Sequence, residues 1–144
     1  MNVSEILNTK GTGVKTVRPN ESIDSLAHRL KLERIGSAVV SSDGVTVDGI
    51  ISERDLVRGL ADHRDQLLSM PVSDLMTRSV TTCTPDDNIK DIMRIMTQKR
   101  IRHLPVLENG KLAGIISIGD VVKNRLDDMQ LEANVLRDSL IAHQ

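Results

Sequence analysis

The sequence has no aromatic residues: phenylalanine, tyrosine and tryptophan are all missing from its 144 residues. Proteins that bind single-stranded nucleic acid stack the bases on such rings, so the chain lacks the surface that this function uses. Its core must be packed from isoleucine, leucine, valine, methionine and alanine side chains. We therefore expect any planar ligand to lie between aliphatic side chains.

Charge bias, disulfide bonds and long apolar runs are missing as well. Nineteen basic and twenty acidic residues give a net charge of −1. There is no basic stripe to meet a phosphate backbone, so we expect no nucleic-acid partner. The single cysteine, Cys83, excludes an internal disulfide framework. No apolar run is long enough for a membrane span or a signal-peptide core. These features predict a cytoplasmic protein that does not associate with a membrane.

What the sequence does contain is an internal repeat. Residues 49–55 read Gly-Ile-Ile-Ser-Glu-Arg-Asp, and residues 114–120, which lie 65 positions further on, read Gly-Ile-Ile-Ser-Ile-Gly-Asp. In each copy the isoleucine pair predicts the end of a buried strand. The serine and the aspartate predict the start of a helix, because both can accept hydrogen bonds from free backbone N–H groups. Residues 3–7 are echoed by residues 72–76, which extends the repeat.

Apolar periodicity and turn residues predict the order β-α-β-β-α in each half, and hence an α+β (α/β) fold. The elements expected in the first half are strand 14–17, helix 23–34, strand 37–40, strand 45–52 and helix 53–61. Those expected in the second half are strand 80–83, helix 88–99, strand 104–107, strand 111–117 and a helix from residue 118. Residues 63–70 are expected to connect the halves.

A heptad-like apolar stripe extends the last helix beyond the repeat, to about Ile141. Its members are Val122, Leu126, Met129, Ala133, Leu136 and Leu140. Packing on the chain's own body and pairing with a second chain both fit this stripe. The predicted division is a first repeat with its N-terminal helix and connection at 1–70, a second repeat at 71–125, and a helical extension at 126–144.

The doubled element order and the two Gly-x-x-Ser-x-x-Asp corners resemble a tandem pair of cystathionine-β-synthase (CBS) domains, also called a Bateman module. The strand starts at residues 35–40 and 101–106 carry the same resemblance, which covers about residues 1–125. It implies two halves packed about a pseudo-two-fold axis, with adenine nucleotides bound in two clefts between them. It also implies that two modules assemble as a homodimer.

The resemblance assigns candidate nucleotide-binding residues to each cleft. In the first cleft they are Ser52, Arg54, Asp55, Thr84, Ile89, Ile101, Arg102, His103 and Pro105. In the second cleft they are Ser117, Gly119, Asp120, Arg18, Ile23, Ile35, Ser37 and Ala38, with Lys10 as a further phosphate ligand if it reaches the site.

The chemistry of these residues fits such a ligand. An ionised aspartate at a helix start can accept hydrogen bonds from both ribose hydroxyls, and strand backbone can bind the adenine edge between aliphatic walls. Arg102 and His103 would face the phosphates of the first cleft. Gly36 and Ser37 stand at the matching positions of the second cleft, so phosphate binding there depends on Lys10.

Two functions of different classes follow. The first is a regulatory module that binds AMP, ADP, ATP or NAD(H), with or without Mg²⁺, and signals by a conformational change of a homodimer. The second is an interaction module with degenerate clefts, whose C-terminal helix recruits another protein. An enzyme is not expected, because no nucleophile with a nearby base, metal-binding set or carboxylate pair is recognisable. A metal or nucleophile pair of Cys83 and His103 is rejected because it lacks a third ligand.

Overall fold

The computed structural model describes residues 1–142. The elements in chain order are α1 (Val3–Lys10), β1 (Thr16–Val17), α2 (Ile23–Glu33), β2 (Ser37–Val40), β3 (Gly49–Ser52), α3 (Glu53–His63), α4 (Ile89–Lys99), β4 (His103–Glu108), β5 (Lys111–Ser117) and α5 (Ile118–Ala142). Short 3-10 helices at Arg64–Ser69 and Val72–Asp74 connect the halves. The predicted α+β architecture with a long C-terminal helix is confirmed. None of the helices within residues 1–142 combines the length and apolar character needed to cross a bilayer.

The two halves carry separate but similar sheets. In the first half β2 lies between β1, which is parallel to it, and β3, which is antiparallel. In the second half β4 and β5 form an antiparallel pair. Their hairpin turns at Asn109 and Gly110, whose φ angles of 54° and 77° are left-handed, as a tight hairpin turn requires.

Three predicted strands are shorter in the structure. The strand expected at 14–17 begins only at Thr16, and local hydrogen bonds shorten the other two. The strand expected from Val45 begins only at Gly49. The carboxylate of Asp43 accepts the N–H groups of Val45 (2.8 Å) and Thr46 (2.7 Å), which folds this segment into a turn. The strand expected at 80–83 is reduced to a single parallel bridge from Cys83 to β4.

The segment before Cys83 is held elsewhere by the first half. Thr77 pairs with Ile50 of β3, through N–H···O bonds of 3.0 and 2.8 Å in the two directions. Residues 77–82 therefore cross from one sheet to the other instead of extending along β4. This crossing places them beside the end of β3.

The segment that precedes each repeat in the sequence packs on the other half of the molecule. Helix α1 packs on the second half, where Val3 and Leu7 join the core that contains Leu104 and Ile116. The segment after residue 70 packs on the first half, where Val72 joins the core around Ile51. The backbone contacts match: Val3 N–H donates to Asp87 O (3.0 Å), and Val72 N–H donates to Glu21 O (2.8 Å).

The glycine of each corner makes room for this exchanged segment. A Cβ atom at Gly49 would lie 2.7 Å from Met76 Sδ and 2.9 Å from the carbonyl oxygen of Thr77. A Cβ atom at Gly114 would lie 2.7 Å from a methyl group of Leu7. Close approach of the neighbouring segment therefore favours glycine at both positions. The reciprocal contacts relate the halves by a pseudo-two-fold axis.

Candidate functional site

An open cleft of about 570 Å³ lies between the first corner and the start of β4. It is lined by Gly36, Ser37, Ile50, Ser52, Glu53, Arg54, Asp55, Arg58, Thr77, Ser79, Val80, Thr81, Lys99, Arg100, Ile101, Arg102 and His103. Six of the nine residues predicted for the first cleft therefore line this one cleft. They are Ser52, Arg54, Asp55, Ile101, Arg102 and His103.

The corner itself is a capping box that holds Asp55 in place. Ser52 ends β3 and caps α3, and its backbone N–H and hydroxyl both donate to Asp55 Oδ2, at 2.9 and 3.2 Å. The side chain is therefore fixed by its own helix start. Within residues 1–142, Oδ1 of Asp55 accepts no protein hydrogen bond, so this atom can accept a ligand hydroxyl.

The lining of this cleft is rich in positive charge. Five basic side chains line the cleft against the two acids Glu53 and Asp55. These basic residues are Arg54, Arg58, Lys99, Arg100 and Arg102. Arg54 donates to the carbonyl oxygen of Arg100 (3.2 Å), and Lys99 donates to Thr81 Oγ1 (3.2 Å). These two bonds connect α3 to the end of α4, and α4 to the segment 77–82. An anionic group in the cleft would be attracted by this excess.

His103 begins β4 at the junction of both corners. Burial lowers the pKa of His103, and the positive charges of Lys10 and Arg102 act in the same direction, against the opposing acids Asp120 and Glu53. The imidazole is therefore held neutral at pH 7. A phosphate placed beside it would favour its protonation.

Ser37 lies in the first cleft, although sequence comparison of the halves had assigned it to the second. The residue is only 6% exposed. Its Oγ is buried without a hydrogen-bond partner among residues 1–142, although it lines the cleft wall. A buried hydroxyl without a partner is costly. This atom is thus available to a polar group of a bound molecule.

The second corner repeats the geometry of the first with one addition. Ser117 N–H donates to Asp120 Oδ2 (2.9 Å), and Asp120 N–H donates to Ser117 Oγ (3.1 Å). Lys10 at the end of α1 also donates to Asp120 Oδ2, at 2.7 Å, and to the carbonyl oxygen of Ile115, at 2.9 Å. Burial alone would raise the pKa of Asp120, but the bonds from Lys10 and Ser117 outweigh it and lower the pKa.

Several other predicted residues do not line the first cleft. Arg18 lies in a separate depression with Glu21 and Asp43. Arg18 follows the end of β1 and lies level with Ser41. Ser41 is four residues from Ser37 along the direction of β2, which separates the two serines by about 13 Å. Thr84 lies beyond the bridge of Cys83 to Val106 at the far end of β4. The others are buried or half-buried among apolar side chains or within a strand: Ile23, Ile35, Ala38, Ile89 and Pro105. Gly119 is exposed beside Ser117.

Sequence reasoning missed the segment 77–81 and two cations of the first cleft. The segment was expected to lead into a strand of the second sheet, so its contact with the corner was not anticipated. Arg58 could have been found, because it lies one helical turn after Arg54 and shares its face. Lys99 could have been found from its place beside Arg100 at the end of α4.

The next features concern metal binding and the reactivity of the cysteine thiol. Within residues 1–142, no group of three or more histidine, cysteine, aspartate or glutamate side chains is placed to hold a metal ion. Burial, with a smaller effect from Asp87, raises the pKa of Cys83 to about 12. The thiol is therefore protonated at neutral pH and acts as core packing.

Comparison with known proteins agrees with this architecture. A CBS-domain family model matches residues 3–62 and 72–127. The crystal structure of a CBS-domain protein from Agrobacterium tumefaciens is 47% identical, with a TM-score of 0.83 over 87% of this chain and 99% of that one. The CBS domain-containing protein YhcV of Bacillus subtilis is 32% identical over 88% of this chain and 89% of its own length.

Some similar structures contain a bound ligand. The crystal structure of CBSX2 in complex with AMP is 26% identical, with a TM-score of 0.76 over 89% of this chain and 98% of that one. The family matches span both halves, and the structural matches reproduce the arrangement of the two sheets and corners. The chain therefore belongs to the CBS-domain family and carries two such domains in tandem.

Proposed function

We propose that this protein is a regulatory module that binds an adenine nucleotide in the first cleft and acts as a homodimer. The observation that carries the proposal is that the carboxylate of Asp55, held by Ser52, and five basic side chains line the same cleft. A nucleotide needs an acceptor for its ribose hydroxyls at one end and cations for its phosphates at the other. This cleft offers both.

The ribose would bind to Asp55 and the base would lie between aliphatic walls. Oδ2 of Asp55 is fixed by Ser52, which orients the carboxylate before a ligand arrives and lowers the entropic cost of binding. Ile50, Val80 and Ile101 line the cleft and can sandwich the adenine ring in place of aromatic residues. The partnerless hydroxyl of Ser37 can bond to a polar atom of the ligand.

The phosphates would bind to the basic side chains that line the cleft, in particular Arg102, and to His103 beside it. Five cations against two acids favour ligands with several negative charges, so we rank ATP and ADP above AMP. NAD(H), which also carries phosphates, remains within this class. A Mg²⁺ ion, if present, would accompany the phosphates of the nucleotide. The binding of AMP by the CBSX2 structure supports an adenylate as the ligand.

The dimer is proposed from apolar surface on the two helices that follow the corners. Val57 of α3 is 68% exposed, and Val122 of α5, at the matching position of the repeat, is 42% exposed. The stripe continues along α5 through Leu126 (59%) and Leu136 (66%). Apolar surface of this extent is typical of an interaction site, and heptad spacing fits another copy of the same helix.

Isothermal titration calorimetry with ATP, ADP, AMP and NAD⁺ tests the proposal. We expect the wild type to bind at least one of them, and Asp55→Asn to weaken binding by about ten- to a hundredfold, because a hydrogen bond to a charged group contributes about 1.5–3 kcal/mol. Asp62→Asn, at an exposed position on the same helix, is the matched control and should bind like the wild type. A folded wild type that binds none of the four ligands would refute the proposal.

A second candidate, an interaction module without ligand, is favoured only by the exposed α5 stripe. Purified protein distinguishes the two directly. The chain has no phenylalanine, tyrosine or tryptophan, so an adenine absorption band in the ultraviolet spectrum would report nucleotide carried through purification. Retention of a partner protein by the Asp55→Asn variant, together with its loss when residues 127–144 are removed, would favour the second candidate.

A further inference from the structure

The two corners differ in one contact, because a lysine ammonium group binds the aspartate of the second corner and not that of the first. Lys10 Nζ lies 2.7 Å from Asp120 Oδ2 and 2.9 Å from the carbonyl oxygen of Ile115. The side chains of Lys10 and Asp120 are 36% and 25% exposed, so the pair lies at a partly shielded surface. In the first corner, Asp55 accepts bonds only from Ser52 among residues 1–142.

The repeat explains why the first corner has no such cation. Residues 3–7 align with residues 72–76, and three more positions place Lys10 opposite Ser79. Ser79 lines the first cleft, just as Lys10 reaches the second corner. A short neutral side chain thus stands in one cleft where a long cation stands in the other.

The ammonium group competes with a nucleoside for the same carboxylate. A ribose diol binds such a carboxylate by donating hydrogen bonds, and Lys10 already donates to the Oδ2 atom. The second corner also has Gly119 at the repeat position of Arg54, so it lacks one cation that the first corner offers to a phosphate. An adenylate would have to displace Lys10 without that compensation.

We infer that Lys10 is an internal ligand of Asp120 that closes the second cleft, so that each chain binds one adenylate and binds it in the first cleft. The inference rests on the proposed function, whose ligand class it shares. It assigns different roles to the halves, with a binding role for the first corner and a structural role for the second.

Calorimetry with ATP and with adenosine, on the full-length chain, tests the inference. We expect one ATP for each wild-type chain. Lys10→Ala should add a second site for adenosine, because removal of one ion pair raises the affinity of the second cleft by up to about fivefold. In the Asp55→Ala background, which removes the first site, Lys10→Ala should restore one site per chain. Ser79→Lys should weaken binding in the first cleft.

The results separate the two proposals. Two sites per wild-type chain, or no added adenosine site in Lys10→Ala, would overturn the inference and leave the proposed function intact. Loss of nucleotide affinity in Lys10→Ala would also overturn it, because Lys10 would then be a phosphate ligand. Absence of binding in every folded variant would reject the proposed function and the inference with it. Thermal unfolding followed by circular dichroism establishes that each variant is folded.

Discussion

At the scale of single residues, Gly49 and Gly114 have the same place in the repeat but different neighbours. A Cβ atom at Gly114 would meet the end of the flexible Leu7 side chain, which can move aside. A Cβ atom at Gly49 would meet Met76 and also the backbone oxygen of Thr77. Backbone moves less readily than a side-chain tip, so the same added methyl group has different costs.

We therefore predict that Gly114→Ala lowers the free energy of unfolding by about 1–3 kcal/mol, and that Gly49→Ala lowers it by more. Urea denaturation followed by far-ultraviolet circular dichroism measures both values. Gly13→Ala is the control, because a Cβ atom there meets nothing within 4 Å. Equal losses at Gly49 and Gly114 would contradict the packing explanation.

His103 links stability to pH. Burial lowers its pKa in the folded protein, so the unfolded chain binds the proton more readily. The free energy of unfolding should consequently rise with pH up to about 6.5, where the unfolded imidazole loses its proton, and then level off. Urea denaturation at a series of pH values above the carboxylate range checks this slope.

Two variations identify the source of the slope. His103→Asn should flatten it, whereas His28→Asn, at an exposed position, should leave it unchanged. Saturating ATP should also reduce it, because a phosphate beside His103 favours the protonated folded state. A slope that persists in His103→Asn would assign the proton to another group.

At the scale of elements, the sequence predicts the bounds of those helices and strands that a local pattern of apolar and turn residues defines. Strands β2 and β5 have the predicted bounds, because apolar runs and flanking turn residues define both. The strand expected at 80–83 fails because Thr77 pairs with Ile50 of the other half, a partner that no local pattern identifies. The same limit explains the bond between Lys10 and Asp120, which joins residues 110 positions apart.

The candidate site was predictable to the extent that it lies on repeated elements. Ser52, Asp55 and Arg102 could be identified because corner and strand start occur twice. Residues whose place depends on how the halves meet were assigned wrongly or missed, as Ser37 and Ser79 illustrate. The position of a side chain within a half follows from periodicity, but its cleft depends on packing between the halves.

Helix α5 is the element on which the dimer prediction rests. We predict that Leu126→Glu lowers the dimer fraction strongly, because it places a charge in the apolar stripe. Asp138→Ala, on the opposite face of the same helix, should not change the dimer fraction. Sedimentation equilibrium measures both. A monomeric wild type, or a dimer insensitive to Leu126→Glu, would contradict the proposed interface.

At the scale of the whole molecule, the exchange of leading segments joins the halves into one cooperative unit. Leu7 is 6% exposed in the core of the second half, although it lies in the first repeat of the sequence. We predict that Leu7→Ala lowers the free energy of unfolding by about 2–5 kcal/mol while a single transition is kept. Leu32→Ala, at an 81% exposed position, should cost little.

Circular dichroism and hydrogen exchange at Ile51 and Ile116, one from each core, provide the measurements. Both amides should lose protection together in Leu7→Ala. Loss at Ile116 alone, with Ile51 unaffected, would mean that the halves unfold separately and that the exchanged segments only touch.

The exchanged segments also determine when each core can form during synthesis on the ribosome. Helix α1 is translated before β4 and β5, the strands on which it packs. The first sheet must likewise wait for Val72 and its neighbours before its core is closed. Helix α1 therefore has no packed core to join until β5 has been translated.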